Sequence, residues 1–209
     1  MSTFLPLFPL NLVVYPGEKL NLHIFEERYR QLINESLETG QSFGIPTYLN
    51  NKLAGYGTEV KVVALVQRYE DGRMDISTQG IRAFKLEGFE NPVAGKLYAG
   101  GEVTFQPEYS DVATPAAILL RLLETLYDLL ETQVEYDPTK TPFSFQVAHK
   151  IGLALDEEYK LLTLQRESER QDFLIEHLQK VIPVVAEMEQ TKNRIRMNGH
   201  FKNLDPLNF

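Results

Sequence analysis

Glycine divides this chain: 11 of its 13 glycines fall at or before Gly101, and only Gly152 and Gly199 lie beyond. Glycine serves tight turns and bulges between strands and weakens helices, so its distribution separates two kinds of structure. Up to Gly101, short runs rich in Val, Ile, Tyr, Phe and Leu are punctuated by Pro16-Gly17, Asn50-Asn51, Asp71-Gly72 and Asn91-Pro92, a pattern of strands bounded by turns. The clearest run is Thr58 to Tyr69, where Val60, Val62, Ala64 and Val66 alternate with their neighbours before Glu70-Asp71-Gly72 leads into Arg73 to Thr78. A hairpin is predicted there. One helix interrupts this half, over Glu26 to Glu38, with Tyr29, Leu32, Ile33 and Leu37 at helical spacing and Gly40 as its stop.

After Pro107 the periodicity becomes helical. Thr114-Pro115 reads as an N-cap followed by a first-turn proline, and Ile118, Leu119, Leu122, Leu123, Leu126, Leu129 and Leu130 form an apolar stripe. Thr141-Pro142 repeats the start signal. Asp156 is a candidate cap for a short helix carrying Leu161 and Leu162, and Ser168 with Gln171 forms a candidate capping box for a long one in which Pro183 predicts a kink. Gly199 and Pro206 mark residues 198–209 as a frayed tail. The expected organisation is therefore α+β, a β-rich domain over 1–107 and a helical bundle over 112–197, with a small barrel or strongly curved sheet in the first.

Composition narrows the functional classes. With 209 residues the chain is long enough to build its core without covalent staples, and with no cysteine it has no disulfide, thiolate nucleophile or thiolate metal site. A reducing, cytoplasmic location is expected. Met1 to Pro6 lacks the basic and apolar regions of a signal peptide, and the apolar stretch from Ala116 to Leu130 is broken by Arg121, Glu124 and Asp128, so neither export nor a membrane span is expected. The net charge of −8 is uneven: residues 1–107 carry 10 basic and 12 acidic side chains, residues 108–187 carry 7 and 15, and residues 188–209 carry 4 and 2. Such an acidic chain offers little surface for neutralising phosphates, which disfavours nucleic acid as a partner.

The search for chemistry yields no site. His23, His149, His177 and His200 are far apart and in no metal-binding spacing, so they read as structural. No Gly-x-Ser-x-Gly elbow occurs, and Gly95-Lys96 lacks both the upstream glycine and the hydroxyl residue of a phosphate loop. Glu26-Glu27 and Asp156-Glu157-Glu158 fall in predicted first helical turns, where they complement the helix dipole. Asn34-Glu35-Ser36 matches a glycosylation acceptor but lies within a predicted helix. No catalytic, cofactor-binding or metal-binding residue is assigned, no cofactor is expected, and the substrate-binding residues are unknown at this stage.

The opening, Leu5-Pro6-Leu7-Phe8-Pro9-Leu10, then Val13-Val14-Tyr15-Pro16-Gly17 and Leu20-Asn21-Leu22-His23-Ile24-Phe25-Glu26-Glu27-Arg28-Tyr29, resembles the N-terminal substrate-binding domain of the Lon proteases. A second block, Gly57-Thr58-Glu59-Val60 through Asp71-Gly72 to Gly80-Ile81-Arg82-Ala83-Phe84, is similar to the family's hairpin and the strand after it. Weaker similarity continues through Leu161-Leu162, Ser168-Glu169-Arg170 and Glu189 to Arg196. The family's ATPase module and Ser-Lys peptidase would follow, and this sequence carries neither. The resemblance implies a PUA-like β pseudo-barrel followed by an α-helical bundle. It further implies a non-catalytic protein that binds unfolded or tagged polypeptide, or another protein, as an adaptor in protein quality control. The alternative implied by PUA-like folds is an RNA or nucleotide binder. The acidic balance favours polypeptide.

Overall fold

The computed structural model describes residues 2–107, 111–112 and 114–200, with the side chains of 196–200 left aside. Among these residues the chain is α+β. The strands are β1 (Thr3–Leu7), β2 (Lys19–Ile24), β3 (Phe43–Leu49), β4 (Lys52–Arg68), β5 (Met74–Leu86) and β6 (Ala99–Phe105). The helices are α1 (Glu27–Thr39), α2 (Ala117–Leu129), α3 (Phe143–Val147), α4 (Leu155–Thr163) and α5 (Glu167–His200), with a 3₁₀ turn at Ala148–Lys150.

The strands run in the order β2-β5-β4-β3-β1-β6, and β5 also pairs with β6. Five strands thereby close into a ring, and β2 extends the sheet from the first half of β5. The predicted hairpin is β4–β5, and β4 starts earlier than the alternation suggests, at Lys52. Asn50 and Asn51 both have positive φ, 52° and 59°, the backbone a two-residue hairpin turn needs, so β3 and β4 form a second hairpin ahead of it. Helix α1 ends as expected, on Gly40 in the left-handed region with its N–H on the Ser36 carbonyl.

The helix starts are capped differently from the sequence signals. Ala116, not Thr114, precedes α2, and its N–H is taken by Oε1 of Gln171 at 2.8 Å. Helix α3 follows Pro142, and its Ser144 N–H and hydroxyl both bond the buried Glu167 carboxylate at 2.9 and 2.6 Å. Helix α4 starts at Leu155, so Asp156 lies in the first turn and Glu157 takes the Ala154 N–H at 2.9 Å. Ser168 lies inside α5 with its N–H and hydroxyl on Asp111 rather than in a capping box. At α2, α3 and α5 remote side chains replace local caps, since any acceptor within reach satisfies an exposed N–H, whereas α4 keeps a local one in Glu157. Helix α5 carries Pro183 within it and continues through Asn198 and Gly199 to His200, three residues into the expected tail; residues 201–209 lie outside the described residues.

Two buried clusters hold most of the core. One lies between α1 and the sheet and includes Ile24, Leu32, Ile33, Phe43, Ile45, Val60 and Ile76. The other is helical, built on Leu119, Leu123, Phe143, Val147, Leu161, Leu162, Leu174 and Leu178, yet it also contains Val13, Tyr15 and Ala83 from the strand half. Tyr15 is fully buried there. Its ring stacks on Phe145 at a centroid distance of 4.9 Å, and its hydroxyl donates to the Glu158 carbonyl at 3.0 Å. Gly80 on β5 makes this insertion possible, since a Cβ there would overlap the Tyr15 carbonyl oxygen. The Gly17 N–H bonds the Gly80 carbonyl at 2.9 Å, and the Gly80 N–H bonds the Glu18 carbonyl at 2.8 Å.

Tyr15→Ala is expected to lower stability by about 3–5 kcal/mol, the cost typical of removing a buried aromatic. Gly80→Ala is expected to destabilise as well, by displacing Tyr15. A urea midpoint for Gly80→Ala equal to that of the parent protein would show that the Tyr15 bend does not depend on this close approach.

Candidate functional site

Strict alternation along β4 would place Val60, Val62, Ala64 and Val66 on one buried face. Only Val60 is fully buried. Strand β4 has β3 on one side as far as the Phe43–Val60 pair and β5 on the other, but from Lys61 to Arg68 it pairs with β5 alone. The register shifts between Val62 and Ala64 and again between Leu65 and Gln67, so the alternation does not survive. The outcome is an open strand edge with exposed apolar side chains: Val63 at 50 %, Leu65 at 40 % and Val66 at 66 %. An edge of this kind presents unpaired N–H and C=O groups and is a template for pairing with another chain. The bulges and the terminal Lys61 and Arg68 are the devices by which natural edges limit pairing with themselves.

A second feature is the joint between the strand half and the helices. A cleft of about 660 Å³ lies between Pro16–Glu18 and Gly80–Ile81 on one side and residues 140–150 on the other. His149 crosses it. Its Nδ1 is 2.7 Å from Oε1 of Glu158 and its Nε2 is 3.2 Å from Oε2 of Glu18, and its ring lies 4.7 Å from that of Tyr15. Glu18 also accepts the Tyr15 N–H at 2.8 Å. Burial opposes a charge on this imidazole, but the hydrogen bonds and the charges of Glu18 and Glu158 outweigh it and raise its pKa to about 9.

The other histidines are dispersed. His23 pairs with Asp75 at 2.6 Å on the surface, and His177 is buried with Nε2 3.1 Å from the Ile151 carbonyl. The His200 side chain lies outside the described residues. Among the described residues no cluster of His, Asp and Glu is arranged to hold a metal ion, and no helix is long and apolar enough to cross a membrane. Glu27 and Asp156 to Glu158 stand in the first turns of α1 and α4. The open edge was hidden in the sequence because its residues alternate like those of any covered strand; the loss of its second neighbour is a property of the sheet.

The model of the ATP-dependent protease La (LON) substrate-binding domain matches residues 4–180. The chain belongs to the LON substrate-binding domain family. Among solved structures, the Lon N-terminal domain protein from Xanthomonas campestris is 28% identical with a TM-score of 0.68, covering 83% of this chain and 97% of that one. The N-terminal domain of the Mycobacterium avium complex Lon protease shares the fold at 16% identity and a TM-score of 0.63, covering 85% of this chain and 98% of that one. The α+β architecture is thus that of Lon N-terminal domains.

The joint gives this LON-family chain a pH dependence with a definite sign. The His149 pKa is raised on folding, so its contribution is fully present below the unfolded value near 6.5 and is lost as pH rises through about 9. Thermal melts across that interval should show a fall in stability that is smaller in His149→Gln. Identical pH profiles for the two proteins would remove His149 from the joint's energetics.

Proposed function

We propose that this LON-family domain binds extended, unfolded polypeptide without catalysis, as a recognition or adaptor module in the cytoplasm. The observation carrying the proposal is the open edge of β4 from Lys61 to Arg68 with Val63, Leu65 and Val66 exposed. In this reading residues 1–107 form the binding unit and residues 112–197 brace it through Tyr15. An unfolded segment is the natural occupant, because only an extended backbone can satisfy the edge's N–H and C=O groups in register. Membership in the substrate-binding family supports the same class of ligand.

The affinity is expected to be modest. Covering a few hundred Å² of apolar surface at roughly 25 cal/mol per Å² supplies several kcal/mol, and ordering a flexible chain offsets much of it. Binding in the micromolar range or weaker follows. Nucleic acid is expected to bind poorly, given the net charge of −8.

Titration of a fluorescent unfolded polypeptide and a single-stranded RNA, in parallel and at two salt concentrations, tests this. Polypeptide binding should fall about tenfold in Val63→Asp/Val66→Asp, whose thermal stability should stay near that of the parent because both sites are exposed. Tight, steeply salt-dependent RNA binding with none to polypeptide would reverse the assignment.

A further inference from the structure

The open edge of β4 ends at Arg68, and Arg68 lines a surface pocket of about 530 Å³ shared with α1, the β4–β5 turn and the loop before β6. Two guanidinium groups face this space with neutral hydrogen-bond partners, and Arg30 also lies near enough to the Asp71 carboxylate to help, after Arg73, to lower its pKa. Arg30 donates from Nη1 to the Asp71 carbonyl at 2.7 Å, and its Nε is buried with no hydrogen-bond partner. Arg68 donates from Nη2 to Oδ1 of Asn34 at 3.0 Å. Among the described residues neither arginine has a carboxylate within ion-pair distance.

The neighbouring charges are largely matched to each other. Asp71 is held by Arg73 at 2.7 Å, and Glu35 is held by Lys96 at 2.8 Å and by the Tyr98 hydroxyl. Glu27 is the one carboxylate on the pocket wall. The Arg30 head lies close against the turn at Gly72, where φ is +85° and an added Cβ would lie 2.9 Å from Nη1. A guanidinium carries five donors in a planar fork suited to a carboxylate, and Arg30 commits few of them.

We propose that the Arg30–Arg68 pocket is a carboxylate site that favours polypeptides with an acidic side chain or a free C-terminus at the Arg68 end of the β4 edge. This rests on the strand-edge reading for its polypeptide, while the pocket itself is tested separately. A charge-assisted pair at the end of an otherwise sequence-tolerant edge supplies selectivity that backbone pairing lacks.

Two measurements decide it, both on the full chain. In the first, isotope-labelled protein is titrated with acetate and with acetamide while the Gly72 and Gly95 amide signals and the arginine Nε–H signals are followed. Acetate alone should move them, and Arg30→Gln/Arg68→Gln should abolish the response; an acetamide response of the same size, or one that survives in the double variant, would overturn the site. In the second, a short Val- and Leu-rich peptide is compared with a free or an amidated C-terminus, and an amidated version is compared with a terminal-region Asp or Asn. At least one acid should bind about tenfold tighter than its neutral counterpart, with the preference lost in the double variant, and the two pairs separate a C-terminal from a side-chain carboxylate. Equal binding of acid and neutral peptides would overturn the selectivity and leave the strand-edge function standing. Binding of no peptide, with the acetate response intact, would remove the strand-edge reading and leave the carboxylate site.

Discussion

The insertion of Tyr15 into the helical core is the contact on which the arrangement of the two halves depends. Tyr15 belongs to the segment between β1 and β2, yet its ring is enclosed by Phe145, His149 and the helical cluster. Burying a tyrosine requires a partner for its hydroxyl, and the Glu158 carbonyl provides one. Burial also holds that hydroxyl in its neutral form by pushing its pKa far above the usual tyrosine value. The stack continues to the buried Arg170, whose guanidinium lies 4.5 Å from the Phe145 ring centre.

Arg170 connects that stack to the buried network around Glu167. The Glu167 carboxylate accepts from Ser144 on α3 and from Arg170 and Gln171 on its own helix, and Gln171 in turn holds the start of α2. A buried ion pair of this kind contributes little net stability relative to apolar packing, but removing one partner leaves a buried charge without compensation. The network joins the starts of α2, α3 and α5, and through Arg170 it adjoins the ring on which Tyr15 stacks.

Closure of the barrel and openness of its edge have one origin. Strands β4 and β5 are longer than the others, so their inner halves complete the ring while their outer halves project beyond it. On the β5 side the projection is covered by β2. On the β4 side no strand covers it beyond Val60 among the described residues. The same asymmetry brings Arg68 beside α1, next to Arg30.

Several elements are legible in the sequence because their causes are local. Helix α1 is set by its apolar spacing and by Gly40, the β4–β5 hairpin by Glu70-Asp71-Gly72, and the transition from strands to helices by the distribution of glycine. The similarity of the opening segment to Lon N-terminal domains was also readable, since it lies in contiguous residues. The capping of α2, α3 and α5 was not, because Gln171, Glu167 and Asp111 reach their partners from 55, 23 and 57 positions away. The candidate surface was equally hidden: exposure of Val63 and Val66 depends on where β3 stops pairing, and the Arg30–Arg68 pocket on how α1 lies against a hairpin turn. Sequence by itself determined which segments become strands and which become helices, through periodicity and turn chemistry acting over a few residues. Only the tertiary structure decided which edge stays open and which guanidinium groups meet no carboxylate within ion-pair distance, because both depend on neighbours that the chain brings together from distant positions.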